Sequence, residues 1–210
     1  MKAYLIGGGG FSAEVLEAIS GSRDHHNLEV PGFFDDNAAL AGTDVAGLPY
    51  LGVIEEFLVR TDAGAGYFIA IGNNAVRERL SERFDSAKRA ALTVIHPTAV
   101  VSPLAQIGPG SYVGAHSFVG PYVRIGRHVI VNVNVSVGHN ATVSDFAQLC
   151  PGVRVSGFSE IGRGAFLGSN SVTAPSVRVG NNAKIAASSF VSRHVPDEKL
   201  AVGVPAKVVN

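Results

Sequence analysis

The sequence predicts a small α/β domain of Rossmann-like build followed by a parallel β-helix of hexapeptide repeats. Two observations carry this. From Ile95 to Val191 every sixth residue is aliphatic, a row of seventeen positions broken only by Thr173. A period of six matches neither the 3.6 of a helix nor the alternation of an ordinary strand, and is the mark of a hexapeptide β-helix. Ahead of this row, the chain opens on a short apolar run, Ala3 to Ile6, then four glycines and a helical stretch, the start of a βα unit.

Each hexad reads as one short strand and a corner. The aliphatic residue points into a narrow prism. The residue two places before it is small or valine, as at Ala99, Ser111, Val123 and Ala141. The residue after is often glycine, as at Gly108, Gly138 and Gly162, and Gly or Asn at corners tolerates positive φ. Three hexads close one coil, so residues eighteen apart stack at about one strand spacing, ~4.8 Å. The domains are expected at 1–92 and 93–210.

Composition narrows the class. Of 210 residues, 46% are apolar and 16% charged, the balance of a well-buried globular protein. A single cysteine, Cys150, rules out an intrachain disulfide. No apolar run has membrane-spanning length, and no signal-peptide pattern is present, so the expected location is cytoplasmic, away from membranes. Charge is uneven. Residues 1–94 hold eight Lys/Arg against thirteen Asp/Glu, and residues 95–210 hold nine against four. A basic β-helix suits an anionic ligand such as a phosphate-bearing coenzyme. Dense basic clusters with interleaved aromatics are lacking, which argues against nucleic acid.

In chain order, Ala3–Ile6 is the first strand. Gly8, Gly9 and Gly10 with Phe11 form the turn into a helix from about Ala13 to Ser20. Backbone N–H groups at such a turn favour an anion. A tight βα turn that merely needs glycine is the other reading, because Ser12 stands where a full dinucleotide motif has its last glycine. Val30–Phe34 is the second strand and ends in Asp35 and Asp36. Carboxylates there suit a ribose or base, or equally a solvated turn or helix cap. Gly47–Tyr50 reads as a turn, Ile54–Arg60 as a short helix, Tyr67–Ile71 as a buried strand. Asn73 and Asn74 then start a helix, and Ala91–Ile95 leads into the prism.

One turn of the prism is rich in chemistry. His139 follows the inward Val137 by two places, so it sits at a corner and projects outward. Asn132 and Asn134 precede it, Asn140 follows, and Gly157 lies one coil on. A glycine stacked over a projecting imidazole leaves a gap for a substrate. His96, His116 and His128 read as surface or interface residues. At the C-terminal end, Pro205 and Lys207 suit an adenine and a phosphate, or a plain end cap. No His/Cys/Asp cluster has metal-ligand spacing, so no metal is expected.

Together the glycine loop, Phe33–Asp36, Phe68–Asn74, the His139 turn and Gly203–Lys207 resemble bacterial sugar acetyltransferases. The family is that of the sialic-acid O-acetyltransferases and nucleotide-amino-sugar N-acetyltransferases, and the bacillosamine-pathway enzymes are most similar. The resemblance implies a left-handed β-helix and a homotrimer with acetyl-CoA in a groove between its β-helices. It implies that the N-terminal domain holds a nucleotide-linked amino sugar, UDP-linked 4-amino-4,6-dideoxy for preference, in surface glycan or glycoprotein synthesis. His139 is then the general base with Asn140 beside it. Gly8, Gly9, Gly10, Phe11, Asp35, Asp36, Asn73, Asn132 and Gln148 fall to the acceptor. Gly157, Ser169, Ala187, Pro205 and Lys207 fall to acetyl-CoA.

This chain departs from the family at three positions. Phe11 replaces a histidine near the sugar. Asn140 replaces an acidic residue after the base. Gln148 replaces a histidine of the bacillosamine enzymes. Two other functions fit the sequence: O-acetylation of a sugar hydroxyl, which needs a stronger base than Asn140 supports, and a sugar-nucleotide or acyl-CoA binder without catalysis, against which His139 argues.

Overall fold

A computed structural model describes residues 1–22 and 27–209. The chain divides into two compact units, Met1–Pro97 and Thr98–Asn210.

The first unit is built on a five-stranded sheet. Its strands are β1 (Ala3–Ile6), β2 (Phe33–Phe34), β3 (Asp44–Val45), β4 (Leu48–Gly52) and β5 (Gly66–Ile69), in the order β3-β4-β2-β1-β5. β5, β1, β2 and β4 run parallel. All residues of β1 and β5 are buried, as expected of parallel strands covered on both faces. Helices α1 (Gly10–Gly21), α2 (Phe57–Arg60) and α3 (Asn74–Ser86) complete the unit. Its core is aromatic: Phe84 meets Phe57 at 5.0 Å and Tyr67 at 4.7 Å, both edge-to-face.

Several elements differ from expectation. Helix α1 begins at Gly10 rather than Ala13, so Phe11 and Ser12 lie in its first turn. The second strand is only Phe33–Phe34, because Pro31 has no N–H to give a ladder. Gly47–Tyr50 is not simply a turn. Val45 pairs with Leu48 across Ala46 (φ 50°) and Gly47 (φ 83°), a two-residue hairpin of the kind that needs positive φ at both positions, and β4 follows at once. The Ile54–Arg60 helix is a 3-10 turn running into α2. The third parallel strand ends at Ile69, and Ala91 joins it only by an isolated bridge to Tyr67.

The second unit is the β-helix. Sixteen two-residue strands run from Val100–Val101 to Phe190–Val191, each pairing parallel with the strand one coil on, as Val119 with Val137 and Val137 with Val155. One face carries Val100, Phe118, Ser136, Arg154, Val172 and Phe190 outward; the second carries Gln106, Arg124, Thr142, Glu160 and Arg178; the third runs from Tyr112 to Lys184. The inward row is dry: Val113, Val119, Val131, Val137, Val143 and Leu149 are completely buried. An antiparallel hairpin, Leu200–Gly203 with Ala206–Val209, closes the third face.

The repeat glycines serve a different purpose from the one expected. Left-handed φ occurs three residues after each inward position from Ile107 to Ile185, and there bulky residues serve as well as glycine, including Tyr122 (φ 60°), Phe146 (φ 60°) and Phe158 (φ 61°). The glycines directly after the inward residue have ordinary φ. They are small because the next coil lies against them: a Cβ on Gly138 would sit 2.7 Å from the Gly157 nitrogen, and one on Gly162 2.6 Å from that of Asn181. His128 is also not a surface residue. It is 1% exposed and stacks on Phe146 at 5.5 Å, with Arg163 across that ring at 4.6 Å. Among the described residues no helix is long and apolar enough to cross a membrane.

Candidate active site

In the first unit the loops after β1, β2 and β5 carry the residues singled out for the acceptor. The four glycines are not alike. Gly7 needs its freedom (φ 109°), and a Cβ on Gly8 would strike the Phe33 ring at 2.3 Å. A Cβ on Gly9 or Gly10 would meet nothing within 4 Å, so the chain is open there. Gly9 is the N-cap of α1 and offers no side-chain cap, which leaves helix N–H groups facing that space.

The loop is held from below. Ser12, buried, donates through Oγ to the Gly7 carbonyl at 2.6 Å. Asp35 accepts the Gly8 N–H on Oδ2 and the Asn37 N–H on Oδ1, both at 2.7 Å. Asp36 accepts the Ile54 N–H at 2.9 Å. Both carboxylates therefore have work inside the fold, and Asp35 ties the loop after β2 to the glycine loop. Asn73 caps α3 by accepting the Val76 N–H at 3.1 Å. Phe11 packs edge-to-face on Phe68 at 6.3 Å.

Arg77 is the residue that sequence reading passed over. A charge on a helix usually marks the solvated face, yet Arg77 is 1% exposed. Its guanidinium donates to the carbonyls of Ile71 (3.0 Å) and Gly72 (3.2 Å) and to Asn74 Oδ1 (2.8 Å), setting the loop after β5. Burial lowers its pKa to about 10, leaving it charged at neutral pH.

In the second unit His139, Asn140 and Gly157 come together. Asn140 takes the left-handed corner (φ 60°), a conformation asparagine tolerates well. Its Oδ1 lies 3.1 Å from His139 Nδ1. An amide oxygen only accepts, so Nδ1 carries the proton and Nε2 presents a lone pair. The imidazole lies over Gly157: a Cβ there would be 3.0 Å from both Cε1 and Nε2. The gap left by this glycine is thus filled by the histidine ring itself. Phe158 walls the ring edge-to-face at 5.1 Å, and its N–H donates to the His139 carbonyl at 3.1 Å. Among the described residues the Gly157 N–H has no acceptor.

The other expected residues are placed apart from this cluster in the contacts they make. Asn132 Oδ1 accepts the Val133 N–H at 2.7 Å. Gln148 is outward on the third face, and its buried Oε1 has no hydrogen-bond partner among the described residues. Ser169 and Ala187 occupy one corner on successive coils, where the Ser169 carbonyl accepts the Ser188 N–H at 2.8 Å. Pro205 sits in the turn of the closing hairpin, and Lys207 is exposed on its second strand, opposite Val202.

Comparison with known proteins agrees with these two halves. Residues 2–84 match the PglD N-terminal domain, and residues 160–193 match the hexapeptide repeat of succinyl-transferase. A variant of perosamine N-acetyltransferase from Caulobacter crescentus, solved in complex with CoA and GDP-perosamine, superposes with a TM-score of 0.93 at 29% identity, covering 100% of this chain and 97% of that one. The acetyltransferase domain of PglB from Neisseria gonorrhoeae, in complex with acetyl coenzyme A, gives 0.92 at 29% identity over 99% and 98%. WeeI from Acinetobacter baumannii shares the fold, with a TM-score of 0.83 at 24% identity over the full length of both chains. No curated protein sequence matches. The chain thus has the build of these sugar acetyltransferases, a domain that matches the PglD N-terminal domain followed by a left-handed hexapeptide β-helix.

Proposed function

We propose that the protein transfers the acetyl group of acetyl-CoA to the amino group of a nucleotide-linked amino sugar. The observation that carries this reading is the whole-chain likeness to an enzyme bound to CoA and GDP-perosamine, joined to a histidine whose Nε2 is free to take a proton. In this reading the first unit holds the nucleotide. The open ground at Gly9 and Gly10 and the N-terminus of α1 suit its phosphates. Asp35, Asp36 and Asn73 hold the loops around it in place. A UDP-linked 4-amino-4,6-dideoxy sugar is the first acceptor to try, and the Caulobacter relative makes a GDP-linked one the second.

The chemistry follows from the geometry. The amine nitrogen attacks the thioester carbonyl, and its carbon–nitrogen bond forms as the carbonyl oxygen takes up negative charge. The unused N–H of Gly157 suits that oxyanion. His139 accepts the amine proton on Nε2 while Asn140 keeps the proton on Nδ1. The intermediate collapses, the carbon–sulfur bond breaks, and the imidazolium returns the proton to the CoA thiolate. Ser169, Ala187, Pro205 and Lys207 are assigned to the length of the coenzyme, with the Lys207 ammonium suited to a phosphate.

The protein acts as a homotrimer in this reading. A patch of exposed apolar side chains on the first face and the corner after it, Val100 (61%), Phe118 (44%), Tyr122 (60%) and Phe158 (57%), supports it. Acetyl-CoA and nucleotide sugars are cytoplasmic metabolites, and the proposal places the enzyme with them.

A thiol-release screen across UDP-, dTDP- and GDP-linked 4-amino sugars tests the function. One acceptor is expected to stand out, and His139→Ala should lower kcat on it by about 10²-fold or more with acetyl-CoA affinity little changed. Thiol release only with hydroxyl acceptors would make the enzyme an O-acetyltransferase. Acetyl-CoA binding without release on any acceptor would make it a binder.

A further inference from the structure

Thr173 is the single interruption of the aliphatic row, and it interrupts it beside the histidine. It is 1% exposed, in a position where its neighbours along the first face are Val119, Val137, Val155 and Val191. Along that face the residue after each inward position donates its N–H to the carbonyl of the inward residue one coil on. Gly120 donates so to Val137, Gly138 to Val155 and Ala174 to Val191, at 2.8–2.9 Å. Ser156 departs from the rule. Its N–H goes instead to the Thr173 hydroxyl at 3.0 Å. The ladder registers this: Arg154 still pairs with Val172, but the next rung, Val155 with Thr173, is missing.

The same hydroxyl reaches Ser159 Oγ at 3.2 Å, and Ser159 Oγ donates to the Ala174 carbonyl at 3.1 Å. A carbonyl can only accept, so the one proton of Ser159 is committed to Ala174, and Thr173 must donate to Ser159. The direction of the chain is therefore set: Ser156 N–H to Thr173 Oγ1, Thr173 O–H to Ser159 Oγ, Ser159 O–H to the Ala174 carbonyl. Bonds in such a directed chain reinforce one another in a dry interior. Ser156 and Ser159, the two residues that the Thr173 hydroxyl joins, bracket Gly157 and Phe158. These are the residues that lie under and beside the His139 ring.

We propose that Thr173 is a positioning residue for the acetyl-transfer site: its hydroxyl draws the Ser156–Ser159 turn off the regular coil, so that the Gly157 N–H and the Phe158 ring meet His139 and the thioester in productive geometry. This rests on the functional reading above. Regular coil geometry asks for valine here, so a role in folding alone predicts that valine would be neutral or better.

The experiment is Thr173→Val, which keeps the branched shape and removes the hydroxyl, with Thr173→Ser as the conservative variant and Ser159→Ala to break the same chain from its other end. Steady-state kinetics by thiol release and Tm by calorimetry are read on each. Thr173→Val is expected to lower kcat at least tenfold, with KM for acetyl-CoA within about threefold, because an interaction made only in the transition state moves kcat and leaves ground-state binding alone. Thr173→Ser should stay within about threefold of wild type, and Ser159→Ala should follow Thr173→Val in kind. An active wild type with Thr173→Val and Ser159→Ala both at wild-type kcat overturns this inference alone. So does a loss of activity that Thr173→Ser shares in full, or one that simply tracks a fall in Tm. A wild type that releases no thiol with any acceptor overturns the functional reading, and this inference with it.

Discussion

At the residue scale the question is whether an asparagine can stand beside a general base. A carboxylate there would fix the tautomer by accepting Nδ1–H and would stabilise the imidazolium. Asn140 does the first, through an oxygen 3.1 Å from Nδ1. It does the second only weakly. Because Oδ1 rather than the NH₂ faces Nδ1, the wrong-tautomer fault that cripples Asp→Asn variants of serine proteases is avoided by orientation. An attacking amine also asks less of the base than a hydroxyl does. Asn140→Asp is therefore expected to keep or raise kcat/KM. It should move the acidic limb of the pH–rate profile to higher pH, since a carboxylate favours the charged ring. A loss of more than about tenfold, roughly 1.4 kcal/mol of transition-state stabilisation, with the oligomer unchanged, would show that the amide NH₂ has its own partner in the acceptor. The Asn140 contact follows from adjacency in sequence and was open to expectation. The buried guanidinium of Arg77 was not, because nothing in a helix pattern says that a charge turns inward to serve three acceptors on one loop.

At the scale of the element, the coil carrying Gly157 is the sensitive one. Its φ is not in the left-handed region, so alanine would cost the backbone nothing there. The new Cβ would instead press on His139 Cε1 and Nε2 at 3.0 Å, and the ring would have to shift by a few tenths of an ångström. Gly157→Ala is thus expected to leave Tm nearly unchanged and to lower kcat by about tenfold, since small misplacements of a reacting group are costly. Unchanged turnover with a crystal structure showing the ring displaced would dissociate His139 from the chemistry. The corresponding change at Gly138 is a different experiment. There a Cβ would meet the backbone nitrogen of Gly157 at 2.7 Å, and the coil stack itself would have to open. Glycines of the same repeat therefore differ in kind: those after an inward residue admit the next coil, and Gly157 admits a side chain.

At the scale of the molecule, the β-helix leaves apolar side chains uncovered along one face and its following corner. Phe118 is 44% exposed and Tyr122 60%, close enough in the repeat to form one patch. A second copy of the chain under cyclic symmetry covers such a patch without leaving a free edge. Light scattering at micromolar concentration is expected to give three times the 21.8 kDa chain mass. Phe118→Lys, a charge in the middle of the patch, is expected to shift the particle toward the monomer and to lower turnover with it. A wild-type monomer with full activity would show that the site is complete within one chain.

The sequence alone determined the architecture. A strict period of six, with an aliphatic residue at each return, has one physical solution, because only a coil of three short strands brings every sixth side chain into one prism. The βα glycine turn and the outward corner position of His139 were legible for the same reason: each depends on residues adjacent in the chain or on the fixed stacking of residues eighteen apart. What the tertiary structure alone decided are contacts that no period encodes. Asp35 reaches back to Gly8 from another strand. His128 is buried at its corner, with the Arg163 guanidinium across the Phe146 ring on which it stacks. Gly47–Tyr50 leads into a strand because β2 offers it an edge. Thr173, which from sequence is a mere flaw in the row, becomes the middle link of a directed hydrogen-bond chain only once Ser156 and Ser159 are folded against it. Repetition specifies where a backbone goes; where a buried polar group finds its partner depends on which side chains the fold brings within 3 Å, and that is settled in three dimensions.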